Sequence, residues 1–249
     1  MEKLKAELNK FIEKLEHAKN FKASLERLVS VYPFSEYEYI ISHLLAANKL
    51  TLDEYYSLRD SYINRNLYLY IFEISAPTGL GDKWAFGHLQ QLVPDFKRPS
   101  KSLDTEYSRE YDFLLNWEDS KNHLHVIHIE VKTSRAVDFE KPDEPLYIKA
   151  LAADSIRPFD MNFQQIKPKC ADVFIWIAVW RDTITHWVLS SDEVKDSKYF
   201  SKGQHRGNIG EGQLHLNRKN ISEFRQYEVK STNLKDAVIE AYKRQKKLK

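Results

Sequence analysis

The sequence predicts an α/β protein with a helical region ahead of the α/β core, and three patterns support this. In residues 1–65, apolar residues recur at three- and four-residue steps from Leu4 onward, as in amphipathic helices. From residue 66, short alternating segments separated by turn residues indicate strands. Residues 173–180 form a continuous apolar run of β-branched and aromatic residues, which is typical of a strand covered on both faces. We therefore expect two domains, a helical N-terminal arm over residues 1–65 and a mixed core over residues 66–249.

Composition limits the classes of protein to consider. The 249-residue chain is 42% hydrophobic and 13% aromatic, so it can bury a substantial core and is not predicted to be disordered. The 38 Lys and Arg against 36 Asp and Glu give a formal charge of +2, so any surface that binds nucleic acid must be local. No apolar run approaches the roughly 18 residues of a transmembrane helix, and we expect no membrane association. A charged first segment without an apolar h-region and a lone Cys170 favour a reducing cytoplasm.

Two helix starts in the N-terminal arm have the spacing of a capping box. Ser35 lies three residues before Glu38, and Thr51 three residues before Glu54. In each pair the hydroxyl can accept from the backbone N–H of the Glu, and the Glu carboxylate can accept from the backbone N–H of the Ser or Thr. The two helices around residues 48–50 form a candidate helix-turn-helix for binding DNA. Acidic residues outnumber basic ones in the second helix, so we favour packing on the core or on a second subunit.

The segment REYDFLLNWEDSKNHLHVIHIEVKTS predicts an antiparallel hairpin that brings charged side chains together. Because side chains alternate along a strand, His128, Glu130 and Lys132 share one face. If the turn centres near Ser120, Asp112 lies opposite His128 and diagonal to Glu130. Two carboxylates and one ammonium group then converge on the same side of the hairpin.

These three charged groups indicate a metal-dependent hydrolytic site. Two adjacent carboxylates repel each other unless a cation lies between them, and oxygen ligands with positions left for water and phosphate suit Mg²⁺. Asp112 and Glu130 would hold the metal, and Lys132 would orient the attacking water or balance charge during phosphodiester hydrolysis. The alternative is a solvated strand face on which Glu130 and Lys132 have only a structural role. Apolar residues on the opposite face of the strand, among them Ile129, favour the catalytic interpretation.

These residues resemble the PD-(D/E)xK nucleases, in which an Asp at the first strand of a hairpin is followed by (D/E)-x-K on the second. Asp112, Glu130 and Lys132 match those positions. The segment FQQIKPKCADVFIWIAVW is similar to the helix bearing Gln or Lys and the apolar strand that follow in many members, which predicts a short helix over residues 162–167. Type II restriction endonucleases are the most similar members in size and layout. The resemblance implies a restriction-endonuclease-like core, with a mixed central sheet flanked by helices, and Mg²⁺ as cofactor.

The chain departs from the family pattern at two places. Tyr111 replaces the Pro that nominally precedes the Asp, and the predicted helix KWAFGHLQQL lacks the Glu that many relatives carry there. Glu73 is a candidate substitute for that Glu. The resemblance places Gln164 and Gln165 where they would contact the active site or a phosphate, although a solvated helix N-terminus explains them equally well.

Two segments are candidates for binding DNA. The polar segment SKGQHRGNIGEGQLH contains side chains that can read base edges in the major groove, namely Lys202, Gln204, His205, Arg206, Asn208, Gln213 and His215. The basic loop before the hairpin is a candidate for phosphate contacts through Lys97, Arg98 and Lys101. The same compositions are typical of ordinary surface loops, so both interpretations remain open.

The sequence therefore predicts a Mg²⁺-dependent endonuclease of the type II restriction class, which cuts double-stranded DNA at a short sequence. Cutting both strands of a palindrome is simplest for a twofold-symmetric homodimer. A repair or RNA-processing nuclease with the same core is one alternative, since the three catalytic residues do not encode the substrate. A non-catalytic DNA-binding regulator that uses the N-terminal helices is the other.

Overall fold

The computed structural model of the protein describes residues 35–76, 78–104, 107, 110–203 and 211–248. The chain divides into two compact units, Met1–Tyr70 and Ile71–Lys249. The apolar stripe predicted from Leu4 lies outside the described residues. No helix in the described part of the chain is long and apolar enough to cross a membrane.

The described part of the first unit, from residue 35 onward, contains two α-helices, α1 at Ser35–Ala46 and α2 at Leu52–Arg65. The Thr51 hydroxyl accepts a hydrogen bond from the Glu54 N–H at 3.2 Å, and the Glu54 carboxylate accepts one from the Thr51 N–H at 2.8 Å. This capping box confirms the predicted start of α2. Ile41 and Tyr55 pack together in the core of this helix pair. The predicted capping box at Ser35 depends on side chains outside the described residues.

The second unit contains two β-sheets. Its strands are β1 at Phe113–Glu118, β2 at Leu124–Arg135, β3 at Val137–Asp138, β4 at Phe159–Ile166, β5 at Val173–Val179, β6 at Ile184–Ser190, β7 at Phe200–Lys202, β8 at Gly212–Asn217 and β9 at Glu228–Val229. A five-stranded sheet has the order β1-β2-β5-β6-β9, in which β2 and β5 are parallel and the other pairs antiparallel. A four-stranded antiparallel sheet has the order β3-β4-β8-β7.

Helices flank the mixed sheet. They are α3 at Phe86–Leu92, α4 at Ser191–Lys195 and α5 at Leu234–Lys246, with 3₁₀ helices at Leu69–Glu73, Ile221–Tyr227 and Ser231–Asn233 and a π-helical segment at Thr78–Ala85. Both α4 and α5 contact β5 and β6. The mixed α/β class that the sequence predicted is therefore confirmed, with a mixed sheet flanked by helices. The second, antiparallel sheet was not predicted.

Strand β5 lies at the centre of the core, as the continuous apolar run predicted. All of its residues are buried, since β2 and β6 pair with its two edges and side chains cover both of its faces. Trp176 of β5 stacks on Phe163 of β4 with ring centroids 5.1 Å apart. This contact joins the two sheets, and β4 consequently lies close to β2.

The short helix predicted over residues 162–167 is wrong, because this segment belongs to strand β4. Apolar residues from Phe159 to Phe163 alternate with polar ones and enter the core cluster shared with β5, which is the period of a strand. Gln165 has a φ of 54°, and the register with β8 shifts between Phe163 and Ile166. A β-bulge therefore interrupts the strand at the two glutamines.

Strands β1 and β2 form the predicted hairpin with a different register. The predicted opposition of Asp112 and His128 is wrong, because His128 pairs with Leu114. Asn122 has a φ of 61°, and its N–H donates to the Asp119 carbonyl at 3.0 Å. This left-handed residue closes a three-residue turn, which moves the centre of the hairpin one residue later than predicted.

Arg135, the last residue of β2, ties this strand to the segment that precedes α3. Its Nη1 donates to the carbonyl oxygens of Ile71 at 3.2 Å, Phe72 at 3.3 Å and Ile74 at 2.7 Å. These carbonyls lie at the end of a 3₁₀ helix; the Ile71 carbonyl also accepts from the Ile74 N–H at 3.2 Å, whereas the carbonyls of Phe72 and Ile74 are past the last 3₁₀ bond and take Arg135 as donor. Arg135 therefore acts as a side-chain cap for this segment.

Substituting Arg135→Met should lower the free energy of unfolding by about 2 to 3 kcal/mol, because it leaves partly buried carbonyls without a donor. Urea denaturation checks this value. The matched control is Arg225→Met, which removes an exposed guanidinium and should change stability by less than about 0.5 kcal/mol. Equal losses in the two variants would contradict the capping role.

Candidate active site

The backbone places Asp112 next to Glu130. Asp112 directly precedes β1, and its N–H donates to the Ile129 carbonyl at 2.9 Å. Its Oδ2 accepts a hydrogen bond from the Val131 N–H at 2.9 Å. These bonds lie on either side of Glu130 along β2, so the two carboxylates are direct cross-strand neighbours instead of the predicted diagonal pair.

Lys132 completes the group on the same face of β2. Its Nζ lies 2.6 Å from Glu130 Oε1, and the two side chains are only 15% and 10% exposed. Asp112, Glu130 and Lys132 all line an open cavity of about 680 Å³. The structure therefore brings together the three residues that the sequence predicted as catalytic.

Arg98 belongs to this site, although the sequence predicted it as a phosphate contact in a surface loop. Its Nη1 donates to the Asp112 carbonyl at 2.8 Å and lies 4.0 Å from Asp112 Oδ1. The guanidinium carbon lies 3.9 Å from the centroid of the Phe86 ring, a cation–π geometry that restricts the side chain. Arg98 therefore holds the Asp112 backbone by a hydrogen bond and places a positive charge near the Asp112 carboxylate.

Burial dominates the electrostatics of the carboxylate pair. It raises the pKa of Glu130 to about 7, with the Lys132 charge opposing this rise and the Asp112 charge adding to it. Burial also raises the pKa of Asp112, against the Val131 hydrogen bond and the positive charges of Lys132 and Arg98. The pair therefore resists carrying two negative charges near neutral pH unless a further cation joins it.

This donor set fits a hard divalent cation. Mg²⁺ is typically bound through one or two carboxylates, and water and substrate phosphate supply the remaining oxygens. Asp112 and Glu130 offer two adjacent carboxylates in an open cavity. Within the described ranges, no group of three or more His, Cys, Asp or Glu side chains is arranged to hold a metal ion. A cation here would therefore depend on water and substrate for the rest of its ligands.

A polar wall of the cavity, which the sequence analysis missed in part, comes from β4. It consists of Asp160, Asn162, Gln164 and Gln165. The two glutamines were predicted near the site but on a helix, and the bulge in β4 is what allows two consecutive side chains to line the cavity. The alternation of apolar and polar residues in FDMNFQ could have predicted Asp160 and Asn162 as wall residues, since in a strand it places every second residue on one face.

The remaining predicted site residues lie elsewhere. Glu73 is exposed at the end of a 3₁₀ helix and is not part of the cavity wall, so the structure does not bring it to the site. Lys97 is exposed and bridges to Leu114 through its backbone. Lys101 and Lys202 are exposed, and Gln213 is half-buried on β8. The other predicted DNA contacts, Gln204, His205, Arg206 and Asn208, lie outside the described residues.

The raised pKa of Glu130 predicts a pH-dependent effect of Glu130→Gln on stability. Below about pH 4.5 the carboxyl is protonated whether the chain is folded or unfolded. Between about pH 4.5 and pH 7 unfolding releases a proton from the wild-type carboxyl, so over this range wild type loses about 3 kcal/mol of stability relative to the variant, and the difference is constant above pH 7. Urea denaturation at pH 4 and pH 8 in EDTA checks this change.

The matched control for this measurement is Glu118→Gln, which removes an exposed carboxylate at the end of β1. Its stability difference from wild type should stay nearly constant between pH 4 and pH 8. If the stability difference between Glu130→Gln and wild type were equally constant, the raised pKa of the buried Glu130 carboxyl would be wrong.

The arrangement can bind a divalent cation at one side, place an ammonium group beside it and receive a polar substrate along β4. These properties come from the geometry of the described residues. No family model, no curated protein and no solved structure matches the chain.

Proposed function

We propose that the protein is a Mg²⁺-dependent endonuclease that hydrolyses phosphodiester bonds in double-stranded DNA, built on a restriction-endonuclease-like core. The observation that carries this proposal is the convergence of Asp112, Glu130 and Lys132 in one open cavity. A solvated strand face would leave the carboxylates exposed, whereas Glu130 is only 8% exposed and has a pKa of about 7. Functional sites are where such perturbed groups cluster.

The chain's own residues have separate roles in this proposal. Asp112 and Glu130 would hold Mg²⁺, which when bound supplies charge stabilisation at the phosphoryl oxygens and a water of lowered pKa. The Lys132 ammonium group donates to Glu130 and has further N–H groups to orient the attacking water. Its positive charge also offsets the negative charge that develops on the phosphoryl group. Arg98 holds Asp112 in place and does not contact the substrate in this scheme.

The arrangement of strands supports the same proposal. The carboxylates lie on a hairpin whose second strand, β2, runs parallel to the buried strand β5 in a mixed sheet flanked by helices. A mixed sheet flanked by helices is what the resemblance to the PD-(D/E)xK nucleases implies, although strand β4 stands where that resemblance implied a helix. We extend the proposal to a type II restriction endonuclease that acts as a homodimer, with one site from each subunit.

Asp112→Asn and Lys132→Met should each reduce cleavage by about 100-fold or more, because each removes a group on which the reaction depends. The assay incubates the purified protein with a plasmid of known sequence, with Mg²⁺ or EDTA, and resolves the products on a gel. Matched controls are Glu118→Gln and Lys121→Met, which change exposed residues of the same hairpin and should cleave like wild type.

The gel distinguishes the candidate functions. Discrete bands that require Mg²⁺ support a sequence-specific endonuclease, and a metal-dependent smear would move the assignment to a non-specific or repair nuclease. Cleavage retained by either site variant would overturn the site. Sequence-specific binding that needs no divalent cation and survives Asp112→Asn, without cleavage by wild type, would point to the non-catalytic regulator.

Metal binding can be measured without activity. Saturating Mg²⁺ at pH 8 should raise the Tm of wild type by several degrees, because each tenfold excess over Kd adds about 1.4 kcal/mol of stability. Asp112→Asn should remove most of this rise, and Glu118→Gln should keep it. An equal rise in all three proteins would place the metal elsewhere.

A further inference from the structure

We propose that the outer face of the four-stranded sheet reads the base edges of duplex DNA. This face consists of Asp160, Asn162 and Gln164 on β4 and Gln213 and His215 on β8, and we call it the amide face. The inference rests on the proposed nuclease function and extends it, since it assigns sequence recognition to one face of strands β4 and β8, whereas the sequence analysis offered as a candidate the segment that leads into β8.

Strand alternation defines the amide face. Phe163 of β4 and Leu214 of β8 point into the core cluster between the sheets, so the residues between them along each strand point outward. Asn162 lies directly opposite His215 in the β4–β8 register. All five side chains of the face are half-buried or exposed. Polar side chains from two adjacent strands therefore lie on one surface.

The amide face continues into the catalytic cavity. Asp160, Asn162 and Gln164 line that cavity together with Glu130 and Lys132. A duplex whose phosphate lies at Lys132 would thus have its base edges within reach of β4.

Asp160 orients His215. The His215 Nδ1 lies 2.9 Å from both carboxylate oxygens of Asp160. An imidazole that donates from Nδ1 keeps Nε2 available as an acceptor, whereas the protonated ring offers a second donor. His215 is 40% exposed at its side chain, so a ligand can reach it. The pair therefore presents a fixed polar group beside Asn162.

Asn162 has an unused hydrogen-bonding atom. Its Oδ1 is shielded from water and has no hydrogen-bond partner among the described residues. A buried acceptor without a partner is unfavourable, and rotation of the amide into the adjoining cavity would let a bound base supply the missing bond. Asn162 is therefore poised to gain a partner when substrate binds.

The chemistry of the amide face favours base edges over phosphates or single strands. Asn and Gln present a donor and an acceptor side by side, which matches the N6 and N7 positions of adenine in the major groove. The outward positions of β4 and β8 carry no Lys or Arg for phosphate contacts. They carry no Phe, Tyr or Trp either, whereas proteins that bind single strands stack bases on such rings.

The experiment compares wild type with Asn162→Ala and Gln213→Ala on a pool of random duplexes. In a binding arm without Mg²⁺, bound duplexes are sequenced; in a cutting arm with Mg²⁺, the cut ends are sequenced. Each variant should lose about 5- to 100-fold of the preference at one or two base positions, while its Tm stays within a few degrees of the wild-type value and shows that the fold is intact. The control Asn116→Ala removes an exposed amide on β1 and should keep the wild-type preference.

The two arms separate the two proposals. Identical base preferences in wild type and both variants would overturn the amide face and leave the nuclease function standing. No preference in wild type, or tighter binding to single strands than to duplexes, would also overturn it. Absence of Mg²⁺-dependent cutting would overturn the nuclease function, while the binding arm would still decide whether the amide face reads sequence.

Discussion

The structure of the site depends on holding two carboxylates side by side in a largely buried position. Asp112 and Glu130 repel each other, and burial raises the pKa of both. The hairpin makes this arrangement possible because backbone hydrogen bonds on either side of Glu130 fix Asp112 in place. Lys132 and Arg98 then offset part of the negative charge. A divalent cation would complete this compensation, which is the physical basis of the proposed metal-dependent reaction.

Strand β2 links the site to the rest of the second unit. Its residues alternate between Glu130 and Lys132 on the cavity side and buried apolar residues such as Ile129 on the other. It pairs with β1 on one edge and with the buried strand β5 on the other, so the face that carries Glu130 and Lys132 cannot shift without disturbing the sheet. At the end of β2, Arg135 caps the segment ahead of α3. Residues that follow this segment, among them Ala76 and Leu80, line one side of the cavity.

Local patterns and tertiary contacts explain which predictions were right. The hairpin, the run that became β5 and the capping box of α2 were predictable because each depends on neighbouring residues along the chain. The predicted hairpin register was wrong because the observed register depends on the left-handed conformation of Asn122. An Asn in the sequence permits that conformation but does not require it. The helix predicted over residues 162–167 was wrong because packing on β5 and the bulge at Gln165 decided the conformation there.

The sequence by itself determined the mixed α/β class, the hairpin and the three residues Asp112, Glu130 and Lys132, because alternation along a strand fixes which side chains share a face. Only the tertiary structure decided that Asp112 lies directly beside Glu130, that Arg98 supports it and that Glu73 lies outside the cavity. It also decided that β4 forms a polar wall of the cavity that Glu130 and Lys132 line. These features depend on turn conformation and on packing between sheets, which bring together residues that are distant along the chain.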